Sequence, residues 1–141
     1  MSKKYIYLAG PVKYEEDGGT GWRQDVYKYS KNRDWTSYKV FDPTEWFAYS
    51  DENIYHLSDR QVREYYFHAI KNSELVLVNL SGTDRSIGTG MEVQYAVDHD
   101  IPVIGFGDTD VYPWIADSCT VRFNTLKEAL YYIEIYYDTV F

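Results

Sequence analysis

Ser86-Ile87-Gly88-Thr89-Gly90-Met91-Glu92 is the stretch in which residue types and spacing could most readily do chemistry. It sets a hydroxyl and two glycines immediately before a predicted helix, with a carboxylate in that helix's first turn. Glycines let a backbone come close to a ligand, and a helix start offers free N–H groups to an oxygen or a phosphate. The positive end of the helix dipole favours an ionised carboxylate, the form a nucleophile requires. The same spacing has a plainer reading. Thr89-x-x-Glu92 is also a capping box, in which Glu92 would only satisfy its own helix end.

Rival chemistries fit the chain poorly. No Gly-x-Gly-x-x-Gly follows the first predicted strand, no Walker loop is present, and the Gly-x-Ser-x-Gly of a serine hydrolase is missing. His56, His68 and His99 lack metal-ligand spacing, and Cys119, the single cysteine, has no companion ligand. Neither a metal nor an organic cofactor is therefore expected. A lone cysteine also rules out an internal disulfide and suits a reducing cytosol.

The elements that must position this segment can be read from periodicity. Tyr5–Ala9 reads as a first strand stopped by Gly10-Pro11, and Lys13–Gly21 as a polar, Gly-rich loop. A helix over Trp22–Lys31 puts Trp22, Val26 and Tyr29 on one face. Tyr38–Phe41 is a short strand ended by Asp42-Pro43, and Thr44–Leu57 reads as an aromatic loop or lid. Ser58-Asp59-Arg60-Gln61 opens a helix to about Lys71, buried through Val62, Tyr66, Ala69 and Ile70. Leu75–Leu80 is apolar enough for a strand covered on both faces; a loop over Ser81–Gly88 and a helix from Gly90 to His99 follow. Ile101–Phe106 is the next buried strand, and after a turn-rich link Thr120–Phe123 is a last short one. Thr125-Leu126-Lys127-Glu128 opens a final helix striped by Leu126, Ala129, Leu130, Ile133 and Tyr137. Alternating strands and helices imply one α/β domain over residues 1–141. It would be flavodoxin-like or Rossmann-like, with a five-stranded parallel sheet and helices on both faces. Ligands in such sheets sit beyond the carboxyl ends of the strands.

The bulk numbers narrow the partners. The 141 residues carry 14 basic and 22 acidic side chains, a net charge of −8, so a nucleic-acid polymer is not expected as a partner. No stretch is long and apolar enough for a signal peptide or a membrane span, which points to a soluble cytoplasmic protein. The 16 tyrosines, 6 phenylalanines and 4 tryptophans suit a core and subunit contacts, and equally the stacking of a nucleobase.

Taken together, the segments resemble the nucleoside 2-deoxyribosyltransferases and the related nucleoside 5′-monophosphate N-glycosidases. The matching stretches are Tyr7–Pro11, Gly21-Trp22-Arg23, Phe41-Asp42-Pro43, Ile70–Leu80 and Ser86–Ala96, in order over nearly the whole chain. The resemblance implies that Glu92 attacks the anomeric carbon to form a glycosyl-enzyme, and that a second base or water then takes the sugar with retention. It implies that Tyr7 orients this glutamate. It also implies that Gly10, Pro11, Trp22, Asp42, Tyr66, Asn79, Ser86, Gly88 and Thr89 line a base and sugar pocket, with Arg23 beside Trp22. Homo-oligomers are implied too, with Ser118 reaching the sugar 5′ group of a neighbouring subunit and Phe141 offering its terminal carboxylate.

Two departures from the pattern bear on mechanism. Tyr66 stands where many members carry an aspartate that handles the leaving base; Tyr66 itself, Glu64 or Asp84 could replace it. Ser86 stands where the best-known transferases have an aspartate, as in the monophosphate N-glycosidases, whose serine contacts the 5′-phosphate. The leading expectation is transfer of a deoxyribosyl group between bases. Hydrolysis of a nucleoside 5′-monophosphate is the enzymatic alternative, and a degenerate nucleotide sensor is the non-enzymatic one.

Overall fold

The computed structural model describes residues 4–12, 15–35, 38–46, 58–107 and 111–138. Five strands form one sheet in the order β2-β1-β3-β4-β5, every neighbouring pair parallel. They are β1 (Lys4–Ala9), β2 (Tyr38–Phe41), β3 (Ser73–Asn79), β4 (Val103–Phe106) and β5 (Val121–Phe123). The helices are α1 (Thr20–Asn32), α2 (Pro43–Trp46), α3 (Asp59–Lys71), α4 (Ile87–Asp98), α5 (Pro113–Asp117) and α6 (Leu126–Ile133). Alternation along the central strands feeds two cores. Ile6, Leu8, Leu75, Leu77 and Ile104 pack against Val26 of α1 and Ala129, Leu130 and Ile133 of α6. Tyr7, Ala9, Val76, Val78 and Val103 face the other way, onto Ile70 of α3 and Val93 and Ala96 of α4. Burying each such aliphatic side chain contributes roughly 1.5–3 kcal/mol, so the two faces together hold the sheet between its helices.

Several element ends differ from the sequence reading, each for a local reason. Asp17 accepts hydrogen bonds from the amides of Gly19 and Gly21, at 2.8 and 3.0 Å, and α1 accordingly starts at Thr20 rather than Trp22. The buried face of α1 is Arg23, Val26 and Ser30, with Trp22 and Tyr29 only half-buried. Ser58 and Thr125 cap α3 and α6 as expected. Ser86, however, caps α4 by accepting from the Thr89 amide, which moves the helix start three residues upstream to Ile87. Gly88 and Gly90 therefore lie inside the helix, and Glu92 is its sixth residue rather than part of its first turn. Hence Thr89 and Glu92 form no capping box. The link after β4 holds the short helix α5 in place of turns alone, and the final helix passes into a π-helical turn over Glu134–Asp138. Most of the expected lid, residues 47–57, and Phe141 lie outside the described residues.

Strand order reverses between β1 and β3, since β2 lies outside β1 while β4 and β5 continue beyond β3. Loops leaving β1 and β3 diverge at such a switch point and open a crevice there. The end of β1 brings Gly10 and Pro11 to it, and the end of β3 brings Asn79.

Candidate active site

Tyr7 and Glu92 meet at this crevice. They are 85 residues apart in sequence, yet the Tyr7 hydroxyl donates a hydrogen bond to Oε2 of Glu92. The Tyr7 side chain is fully buried in β1. Glu92 projects from the second turn of α4 and is half-buried. Loss of solvent raises the Glu92 carboxyl from its ordinary 4.5 to about 7, against the opposing pull of the Tyr7 hydrogen bond and the positive charge of Arg23. Burial, reinforced by the adjacent Glu92, pushes the Tyr7 phenol well above its usual 10. Tyr7 thus remains a proton donor across the whole range in which Glu92 ionises. Among the described residues, Oε1 of Glu92 has no hydrogen-bond partner.

A second cluster gathers at the ends of β1 and β2, next to Tyr7 in sequence and register. Arg23 is 1% exposed, and its guanidinium donates to the carbonyls of Leu8, Gly10 and Gly19. Its Nε lies 3.7 Å from Oδ1 of Asp42. Asp42 is also buried, and the same oxygen accepts from the Thr44 amide and hydroxyl, at 2.9 and 2.6 Å, at the start of α2. Gly10 sits where a Cβ would stand 3.1 Å from the Trp22 indole and 3.2 Å from Cβ of Asn79, so any side chain there would push α1 or β3 back from the end of β1 by a few tenths of an ångström. Asn79 in turn accepts from the Ser81 amide at 3.1 Å and so shapes the loop leaving β3.

Tyr66 reaches the same neighbourhood from α3. Its ring stands edge-on to Tyr7, with centroids 6.4 Å apart, and its hydroxyl donates to the Pro43 carbonyl at 3.2 Å. The two carboxylates weighed as substitutes for the family aspartate are elsewhere. Glu64 is on the exposed face of α3, paired with Arg60 at 2.9 Å. Asp84 is exposed and borders a different cleft.

That cleft, of about 360 Å³, runs between α4 and α5 and includes Asp84, Gly90, Gln94, Trp114 and Ser118. At ~100° per helical residue, Gly90 and Gln94 lie on the side of α4 opposite Glu92. Ser118, which donates to the Trp114 carbonyl, is therefore not joined to Tyr7 and Glu92 within one chain. Ser86 and Thr89 are hydrogen-bonded to each other at the head of α4, 2.7 Å between hydroxyls. A Cβ at Gly88 or Gly90 would meet nothing within 4 Å, so both face open space. The described residues bring together no group of three or more His, Cys, Asp or Glu side chains that could hold a metal ion, and no described helix is long and apolar enough to cross a membrane.

The sequence reading sets Arg23 beside Trp22, in the pocket lining or in helix packing alike, and does not show its role as a buried charge holding strand ends. The signal was available: Arg23, Val26 and Ser30 share one helical face, and a cation on a core-facing position needs partners.

Residues 6–129 match the family model described as nucleoside 2-deoxyribosyltransferase. The chain belongs to that family. Membership supports glycosyl transfer chemistry on nucleosides. No curated protein sequence matches the chain significantly. Among solved structures, the family fold recurs in a 2-deoxyribosyltransferase from Leishmania mexicana, with TM-score 0.69 and 18% identity, covering 95% of this chain and 99% of that one. A 2-deoxyribosyltransferase from Bacillus psychrosaccharolyticus is similar with TM-score 0.66 and 24% identity, over 89% and 90% of the two chains. A CMP N-glycosidase from Clostridium botulinum gives 0.58 and 20%, over 94% and 100%.

Proposed function

We propose that this protein is a retaining nucleoside 2-deoxyribosyltransferase with Glu92 as nucleophile. The hydrogen bond from Tyr7 to Glu92 at the switch point of the sheet carries this reading, because it leaves one carboxylate oxygen held and the other available. Oε1 of Glu92 attacks the anomeric carbon as the bond to the leaving base breaks, with its electron pair departing on the base nitrogen. The transition state has oxocarbenium character, and the carboxylate opposite it supplies the compensating charge. A nitrogen of the incoming base then attacks the anomeric carbon from the vacated face. Glu92 is released as the carboxylate, and the configuration of the substrate is restored. Tyr7 stays protonated throughout and keeps Oε2 oriented. Gly10, Pro11, Trp22, Asp42, Tyr66, Asn79, Gly88 and Thr89 form the surrounding pocket in this reading, and Ser118 serves the site of a neighbouring subunit in a cytoplasmic homo-oligomer.

One observation favours a second reading, hydrolysis of a nucleoside 5′-monophosphate. The head of α4 carries the Ser86 hydroxyl, and Gly88 beside it faces open space, which is the setting that receives a phosphate at a helix N-terminus. Incubation with a deoxynucleoside and a foreign base, and separately with a deoxynucleotide, followed by chromatography, tests both. A new deoxynucleoside supports transfer. Free base and sugar phosphate from the nucleotide alone supports hydrolysis, and no product from either overturns both.

A further inference from the structure

The β1 strand runs to Ala9, whereas its neighbour β2 stops at Phe41, opposite Tyr7. Beyond Tyr7, therefore, the β2 side of β1 has no strand to pair with among the described residues. The guanidinium of Arg23 occupies that place. Its Nε and Nη2 both lie 3.3 Å from the Leu8 carbonyl oxygen, and Nη2 lies 3.0 Å from that of Gly10. Nη1 holds the Gly19 carbonyl at 2.6 Å across the loop that leads into α1. Gly19 itself is left-handed, with φ of 77°, and a Cβ there would stand 2.5 Å from Nη1 and 2.6 Å from the Pro11 carbonyl oxygen. The loop is thus shaped around the arginine. A planar fork with five fixed donors suits three carbonyls in three directions, which a lysine ammonium on a flexible stem does not reproduce.

We propose that Arg23 is a positioning residue of the candidate site, one that ties the ends of β1 and β2 together and sets the net charge facing Glu92. The proposal rests on the reading of Glu92 given above. A guanidinium this deeply buried requires compensation, and the structure supplies it in the three carbonyls and in Asp42 at the end of β2. Among the described residues, Tyr7 of β1 acts on Glu92 through its hydrogen bond. Arg23 of α1 acts through its charge, from a guanidinium held on the Leu8 carbonyl next to Tyr7, with Tyr66 of α3 acting through the Tyr7 ring and Asp42 through Arg23. Arg23 is the cation in that set, and Asp42 partly offsets it.

The test separates charge from geometry. The Glu92 carboxyl is titrated by carbon-13 NMR in wild type, Arg23→Met and Asp42→Asn, its signal assigned by its loss in Glu92→Gln. Removing the cation is expected to move the Glu92 midpoint to higher pH, and removing the anion to move it to lower pH. Opposite shifts are something a merely structural role would not produce. An unchanged midpoint in Asp42→Asn overturns the electrostatic part even if Arg23→Met fails to fold. Arg23→Lys keeps the charge and loses the fork. At pH 9, where Glu92 is ionised in both proteins, its kcat/KM is expected to fall about tenfold, the loss of roughly one net hydrogen bond of positioning. Wild-type kcat/KM in Arg23→Lys overturns the positioning part. If no nucleoside or nucleotide is turned over, the functional reading fails while the NMR arm still decides the role of Arg23.

Discussion

Glu92→Gln separates the needs of stability from those of function in one residue. The folded protein holds the Glu92 carboxyl at about 7, against 4.5 when free of its surroundings. That gap corresponds to about 3 kcal/mol of destabilisation whenever Glu92 is ionised in the fold. Glu92 keeps partial contact with solvent, which brings the working figure nearer to about 2 kcal/mol. The sign follows from proton counting. Between pH 4.5 and 7 the folded state holds a proton that the unfolded state has released, so wild-type stability falls as pH rises through this window. Below it the cost is absent, and above it the cost is complete. Glutamine does not ionise, and its amide oxygen can still accept from the Tyr7 hydroxyl. Glu92→Gln is therefore expected to match wild type near pH 4.5 and to exceed it by about 2 kcal/mol at pH 8, or about 6 °C in Tm. It is expected to lose turnover almost completely at both. Urea unfolding followed by circular dichroism at the two pH values, with chromatographic turnover on the same samples, measures all of this. A variant less stable than wild type at pH 8, or a stability difference independent of pH, would refute the reasoning that the ionised carboxylate is held at a cost.

Tyr7→Phe removes the hydrogen bond that favours ionised Glu92. The acidic limb of the kcat/KM profile is expected to move to higher pH, with a loss of roughly 10- to 100-fold near pH 7; an unmoved limb would show that Tyr7 does not act on Glu92. Ser86→Ala removes the cap of α4, so a stability loss of about 1 kcal/mol is expected in denaturant melts. If Ser86 also holds a phosphate, kcat/KM on deoxynucleotides is expected to fall at least tenfold more than on deoxynucleosides; equal effects on the two substrates would remove that role. Because Ser118 lies on the side of α4 away from Glu92, mixing Glu92→Gln chains with Ser118→Trp chains tests a shared site. Partial recovery of activity after proven subunit exchange is expected, and none at all would sink it.

The fold class was legible in the chain because its signals are local and periodic. Short apolar runs such as Leu75–Val78, bounded by turn signals, suit strands covered on both faces, and their alternation with helical segments implies a parallel sheet. Caps at Ser58 and Thr125 were legible for the same reason, since a cap is settled within four residues. The head of α4 was not. Thr89-x-x-Glu92 and Ser86-x-x-Thr89 compete for the same helix start, and local sequence cannot rank them. Packing decides, because a helix beginning at Ile87 buries Thr89, Val93 and Ala96 together and turns Glu92 towards Tyr7. The pairing of Tyr7 with Glu92, the removal of Glu64 and Asp84 from their company, and the perturbed ionisation of Glu92 are likewise tertiary facts. Hydrogen bonds across 85 residues and the loss of solvent around a carboxyl arise only when distant segments enclose the same space. Arg23 shows the boundary most clearly. Its place on a core-facing helical position is written in the spacing of Arg23, Val26 and Ser30, but the carbonyls of Leu8, Gly10 and Gly19 that it serves become needy only because β2 ends one turn of the pleat before β1 does.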